Sequence, residues 1–202
     1  MTFTIKNCRV EITFLFLATL TFSLLIDRTG IAGVGVIATI LHECGHLFMM
    51  HCFKVPPSRI KLNPFGIDIV EGRGRRSYAQ DAWISLAGPI SNLCFFLFFY
   101  GWSWLFPNLY TYTLSIVNLT LALFNGLPIE PLDGGQALYS TLCRKYGAER
   151  SGRLVEIISF IVLLPLAAVG FLVLFQSRYN FSLLLVTGYL IMLLVLKKGR
   201  YF

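Results

Sequence analysis

Six apolar runs alternate with short polar segments along the chain, near Val10–Ile26, Gly30–Phe53, Ala82–Phe106, Leu109–Pro128, Leu154–Gln176 and Phe181–Leu196. A helix that crosses the hydrocarbon core of a bilayer takes about 20 residues, with a range of roughly 17–25. The pattern predicts an all-α integral membrane protein: a six-transmembrane-helix bundle over residues 1–202, forming one domain. No segment between the runs is long or polar enough for a second, soluble domain. The first run follows Lys6 and Arg9, as the apolar core of a signal peptide would. The chain then continues Asp27-Arg28-Thr29-Gly30 without a small-residue cleavage site, which predicts a retained helix.

One polar segment follows a different period. Ile60, Leu62, Ile67 and Ile69 alternate with polar residues on either side of Asn63-Pro64-Phe65-Gly66. Alternation around turn-forming residues predicts a β-hairpin near residues 59–71, its apolar face against the membrane surface or the bundle.

Composition and charge sharpen this picture. The chain is 56% apolar and 13% charged, where a soluble domain carries about 25% charged residues. Its net charge of +7 would suggest nucleic acid on a soluble protein, but here the distribution accounts for it. With the N-terminus in the cytoplasm, the cytoplasmic segments hold Lys6, Arg9, Lys54, Arg59, Lys61, Arg73, Arg75, Arg76, Arg144, Lys145, Arg150, Arg153, Lys197, Lys198 and Arg200. Only Arg28 and Arg178 fall on the other side, a split of 15 against 2 that follows the positive-inside rule. An extra or missing span would scramble it. The expectation is a multi-pass cell-membrane protein with both termini cytoplasmic and no nucleic-acid partner. The five cysteines form no C-x-x-C pair and are odd in number. They read as small buried hydrophobes, neither a disulfide framework nor a metal site.

The candidate chemistry lies in the second run, at His42-Glu43-Cys44-Gly45-His46. Positions i and i+4 share a helix face, so both imidazoles reach one metal ion, and Glu43 beside the first of them can serve a metal-bound water. An ionisable group at bilayer depth is expensive. Three in five residues need a strong compensating interaction, which a divalent metal supplies. A catalytic zinc usually takes three protein ligands plus water. His51 is a poor third: nine residues from His42, it lies about 900° around a helix, on the opposite face. The end of the fourth run offers more, at Asn125-Gly126-Leu127-Pro128-Ile129-Glu130-Pro131-Leu132-Asp133-Gly134-Gly135. Pro128 and Pro131 break the helix, and irregular backbone at this depth must be buried in protein or line a wet cavity. Asp133 follows directly, as a ligand or as the N-cap of a short helix over Gly134–Tyr146. Spacing alone leaves Glu130 as a rival ligand.

These residues resemble the site-2 protease family of intramembrane zinc metalloproteases. That family joins an H-E-x-x-H helix to a later N-x-x-P-x-x-P-L-D-G-G segment, matched here by Asn125, Pro128, Pro131, Leu132, Asp133, Gly134 and Gly135. The resemblance implies one zinc ion held by His42, His46 and Asp133, with Glu43 as catalytic base and Asn125 contacting the substrate backbone. A further family-like element, Ala87-Gly88-Pro89-Ile90-Ser91-Asn92, lies in the third run, where its small residues permit close helix packing. The six-span layout with its hairpin is similar to the bacterial branch that processes a sporulation sigma-factor precursor. That branch carries a nucleotide-sensing CBS domain after the last span, whereas here Lys197-Lys198-Gly199-Arg200-Tyr201-Phe202 follow, and no PDZ-like insertion interrupts the chain. The expectation is a bacterial zinc metalloendopeptidase acting in regulated intramembrane proteolysis. Its partners would be a membrane-protein substrate, the lipid bilayer and a regulatory membrane protein. The competing class is a membrane metal-binding transporter, which has no particular need for Glu43 between two metal-binding histidines.

Overall fold

A computed structural model describes residues 2–5, 8–63, 66–71, 77–177 and 181–197. In chain order they form β1 (Thr2–Ile5), β2 (Cys8–Ile12), α1 (Phe14–Ile26), α2 (Ile31–Cys52), β3 (Pro57–Asn63), β4 (Gly66–Glu71), α3 (Tyr78–Leu105), α4 (Leu109–Asn125), α5 (Asp133–Tyr146), α6 (Ala148–Ser177) and α7 (Ser182–Lys197).

Each of the six apolar runs contains a helix, but they differ in length. Among the described residues α2, α3 and α6 are long and apolar enough to cross a membrane, while α1 and α7 are shorter apolar helices. At 1.5 Å per residue, α1 is about 20 Å long. It is short because the start of the first run is a strand: Arg9, Val10 and Glu11 alternate, and Glu11 pairs with Arg9 at 2.9 Å and with Arg59 of β3. The fourth run is shortened from the other end, where α4 gives way at Gly126 to the proline-broken segment.

The expected hairpin is β3–β4, antiparallel with Leu62 opposite Ile67 and Asn63 opposite Gly66. Its turn residues Pro64 and Phe65 lie outside the described residues, as do Lys6, Arg73, Arg75, Arg76, Arg178, Lys198 and Arg200. The hairpin is half of a larger sheet, which the sequence did not announce. β1 and β2 form a second hairpin, and β2 runs parallel to β3, giving the order β1-β2-β3-β4. Parallel neighbours need a long crossover, which α1 and α2 supply by leading away from the sheet and back. The start of α1 and the end of α2 therefore share one end of the molecule. Thr13 locks this junction, its hydroxyl donating to Leu62 O at 2.9 Å.

The centre of the bundle is α3, which packs on α2, α4 and α5. Its first turn is fixed by a capping box: Ser77 accepts from Gln80 N–H while the Gln80 side chain accepts from Ser77 N–H. An apolar cluster of Ile129, Leu163, Leu190 and Leu194 joins the segment before α5 to α6 and α7. Large apolar side chains such as Phe14, Leu25, Phe48, Trp104 and Phe175 face outward, a surface too apolar for water. The cysteines divide differently from expectation. All five are free, but only Cys143 is buried, while Cys44, Cys52 and Cys94 are exposed and Cys8 is half-buried. Those on α2 and α3 occupy outward positions of apolar helices, where lipid rather than protein would cover them.

Candidate metal centre

α2 presents His42 and His46 one turn apart on its buried face. Their Nε2 atoms lie 3.1 Å apart. Asp133, the first residue of α5, completes the group: its Oδ2 is 2.9 Å from His42 Nε2 and 3.5 Å from His46 Nε2. The N-cap of α5 is Leu132, without a side-chain cap. The Asp133 carboxylate therefore points at the imidazoles and does not close its own helix. Among the described residues these three form the group able to hold a metal ion. His51 is exposed on α2, and Glu130, the rival by spacing, is not part of the group.

Two observations test whether a zinc ion fits. Ligand atoms about 2.0–2.1 Å from a tetrahedral zinc stand about 3.3 Å from one another, and the three separations here bracket that value. The wall of the site also has a gap. A Cβ built on Gly88 of α3 would lie 2.3 Å from His46 Nε2 and 2.6 Å from His42 Nε2. No side chain other than glycine's hydrogen leaves that space open. The donor set of two imidazole nitrogens and one carboxylate oxygen suits a catalytic zinc with one open position.

The same α3 face orients the ligands. His46 Nδ1 donates to Ile84 O at 2.7 Å. His42 Nδ1 lies 2.6 Å from Asn92 Oδ1. Ile84, Gly88 and Asn92 are spaced i, i+4 and i+8, so one stripe supplies an acceptor, a gap and an acceptor. Such outer partners fix imidazole orientation in metal sites. Sequence reading took the Ala87–Asn92 element as close packing only. Packing is indeed part of its role: a Cβ on Gly45 would meet Ala87 O at 2.5 Å, so α2 and α3 touch backbone to backbone. The role of Asn92 was missed, and so was that of Asn118, which accepts from Asn92 Nδ2 at 2.8 Å. Both are fully buried amides in apolar helices, and that cost alone was a signal.

Asp133 owes its place to the irregular segment before it. Cβ atoms on Gly134 and Gly135 would lie 2.3 Å from Gly126 O and 2.0 Å from Ile129 O. The paired glycines thus let α5 begin directly beneath the turn. From α6, the buried Ser159 hydroxyl accepts from Glu130 N–H at 2.9 Å and donates to Val155 O at 2.7 Å. Ile129, fully buried, plugs the α6–α7 cluster. Glu43 is half-buried on α2, next to His42. Asn125 stands at the end of α4, its amide donating to Leu121 O at 3.1 Å.

An apolar bundle, a histidine pair and a distant aspartate together define a candidate membrane-embedded metal site. No family model matches the chain. A zinc metalloprotease of Methanocaldococcus jannaschii is 32% identical over 127 residues, covering 58% of this chain and 36% of that protein. Stage IV sporulation protein FB of Bacillus subtilis is 29% identical over 124 residues, covering 59% of this chain and 42% of that protein. The matched regions therefore span less than half of either relative. The solved structure of a site-2 protease from Methanocaldococcus jannaschii superposes with a TM-score of 0.68 at 26% identity, over 94% of this chain and 91% of that one. In fold the chain is similar to this site-2 protease, a member of the family its two motifs resemble.

Proposed function

We propose that this chain is an intramembrane zinc metalloendopeptidase that cleaves a transmembrane or membrane-associated protein in regulated intramembrane proteolysis. The observation that carries the reading is the convergence of His42, His46 and Asp133 on one gap inside an apolar bundle, with Glu43 next to His42 in the chain. The named relatives, a zinc metalloprotease and a site-2 protease, favour peptide hydrolysis over metal transport. His42, His46 and Asp133 would hold a zinc ion, whose chemistry would be to acidify a water and polarise the scissile carbonyl. Glu43 would take the water's proton as general base and pass it to the leaving amine. Asn125 hydrogen-bonds the substrate backbone.

A helical substrate hides its carbonyls in i to i−4 bonds and must unwind before attack. The β3–β4 hairpin holds the unwound segment by strand addition. β3 is paired on both sides, so the receiving edge is that of β4.

The site belongs to one membrane domain of six spans within the apolar runs near residues 10–26, 30–53, 82–106, 109–128, 154–176 and 181–196, the first span starting at Phe14 after β2, in a bacterial cell membrane. Both termini lie on the cytoplasmic side. The out-and-back path of α1 and α2 between paired strands supports this layout. So does the aromatic cluster of Tyr100, Trp102, Trp104 and Phe106 at the far end of α3, suited to the opposite interface. A membrane protein acting as regulator fits the same setting.

Glu43→Gln tests the activity. The variant is expected to keep one zinc per chain and to lose cleavage of a co-expressed membrane substrate. Zinc-dependent transport by the unsubstituted protein, with no cleavage of any membrane substrate, would replace this reading with a transporter.

A further inference from the structure

Three buried amide contacts continue outward from His42. Asn118 of α4 donates from Nδ2 to Leu114 O at 2.8 Å. A backbone carbonyl only accepts, so the amide end of Asn118 faces Leu114 and its Oδ1 faces α3. That Oδ1 receives Asn92 Nδ2 at 2.8 Å, and the same Nδ2 reaches Ala38 O at 3.2 Å. With its amide nitrogen engaged by two acceptors, Asn92 must turn Oδ1 toward His42 Nδ1, 2.6 Å away. Turning the Asn92 amide over would set acceptor against acceptor at both of its other contacts. Asn92 and Asn118 are each 0% exposed. A wrong orientation would leave buried polar atoms without partners, which is costly at this depth.

We propose that Asn92 and Asn118 are positioning residues that fix the tautomer of His42. Leu114 O sets Asn118, Asn118 sets Asn92, and Asn92 takes the proton of His42 Nδ1. Nε2 is left as a lone pair facing Asp133 Oδ2 and His46 Nε2. His46 receives the same instruction directly from Ile84 O. α4 thereby helps to prepare the metal site without contributing a ligand. The proposal rests on the zinc reading of the site and adds two residues to it.

Asn92 variants separate positioning from packing. Leucine keeps the branching and the number of side-chain heavy atoms of asparagine, though it is bulkier, and gives His42 no acceptor. Aspartate keeps an acceptor for Nδ1–H but places a carboxylate in an apolar helix. If Asn92 only fills space, Asn92→Leu is the milder change. If it positions His42, Asn92→Leu lowers zinc affinity 10–100-fold in chelator competition, and Asn92→Asp retains zinc better than Asn92→Leu. Zinc held by Asn92→Leu as tightly as by the unsubstituted protein would overturn the proposal. A second measurement reads the His42 proton directly. In zinc-loaded, ¹⁵N-histidine-labelled protein in detergent, His42 is expected to carry a slowly exchanging proton on Nδ1, and Asn118→Leu is expected to speed that exchange. A His42 proton on Nε2, or exchange unchanged in Asn118→Leu, would also overturn it. An unsubstituted protein that binds no zinc at all would instead remove the metal reading itself.

Discussion

Adding one methyl group at Gly88 tests how closely α3 borders the metal site. A Cβ there would sit 2.3 Å from His46 Nε2, 2.6 Å from His42 Nε2 and 2.7 Å from His42 Cε1. Ordinary contact begins at 3.4 Å, so the nitrogens would have to withdraw by about 1.1 Å and 0.8 Å. The imidazoles resist this, because each is held at Nδ1, by Ile84 O and by Asn92. α3 cannot simply retreat, since those two partners flank Gly88 on the same helix. A zinc site tolerates ligand displacements of about 0.2 Å. Gly88→Ala should therefore cost at least about 100-fold in zinc affinity, or about 2.8 kcal/mol. The measurement is zinc stoichiometry and chelator competition on detergent-purified protein, with helix content checked by circular dichroism. Gly101→Ala is the control, on the same helix but with nothing within 4 Å of the added carbon. It should keep zinc and, since alanine favours a helix over glycine by about 0.5–1 kcal/mol, melt no lower than the parent. A folded Gly88→Ala protein binding one zinc with parental affinity would refute the steric argument.

Two further outcomes follow from the same contacts. Ser159→Ala removes the acceptor of Glu130 N–H, and a buried unsatisfied donor costs about 1–3 kcal/mol. The thermal midpoint should fall and cleavage should fall with it, because the loosened segment carries Asp133. At the sheet, the hydrogen bond from Arg59 holds the Glu11 carboxyl below the usual carboxylate range. A pKa lowered by folding contributes stability above the unfolded value and loses it as pH falls through the folded one. Hydrogen-exchange protection of the β2–β3 pairing should thus weaken on acidification below about pH 4, and Glu11→Gln should abolish that pH dependence.

The sequence by itself determined the apolar-helix character, the hairpin and the histidine pair. Each is written in local spacing: apolar runs of bilayer length, alternation about Asn63–Gly66, and two histidines one helical turn apart. What it left open depends on contacts between residues far apart in the chain. The opening residues of the first apolar run became β2 because β3, some 50 positions later, offered a pairing partner and Arg59 met Glu11. Spacing left Asp133 balanced between helix cap and ligand. Only the packing of Gly134 and Gly135 beneath the turn aims its carboxylate at His42, 91 positions away. Asn92 closes the Ala87–Asn92 element and Asn118 belongs to no motif, and local spacing names a partner for neither. Their meaning appears when three helices come together and every buried amide must find a partner, a demand that local sequence states and only tertiary structure answers.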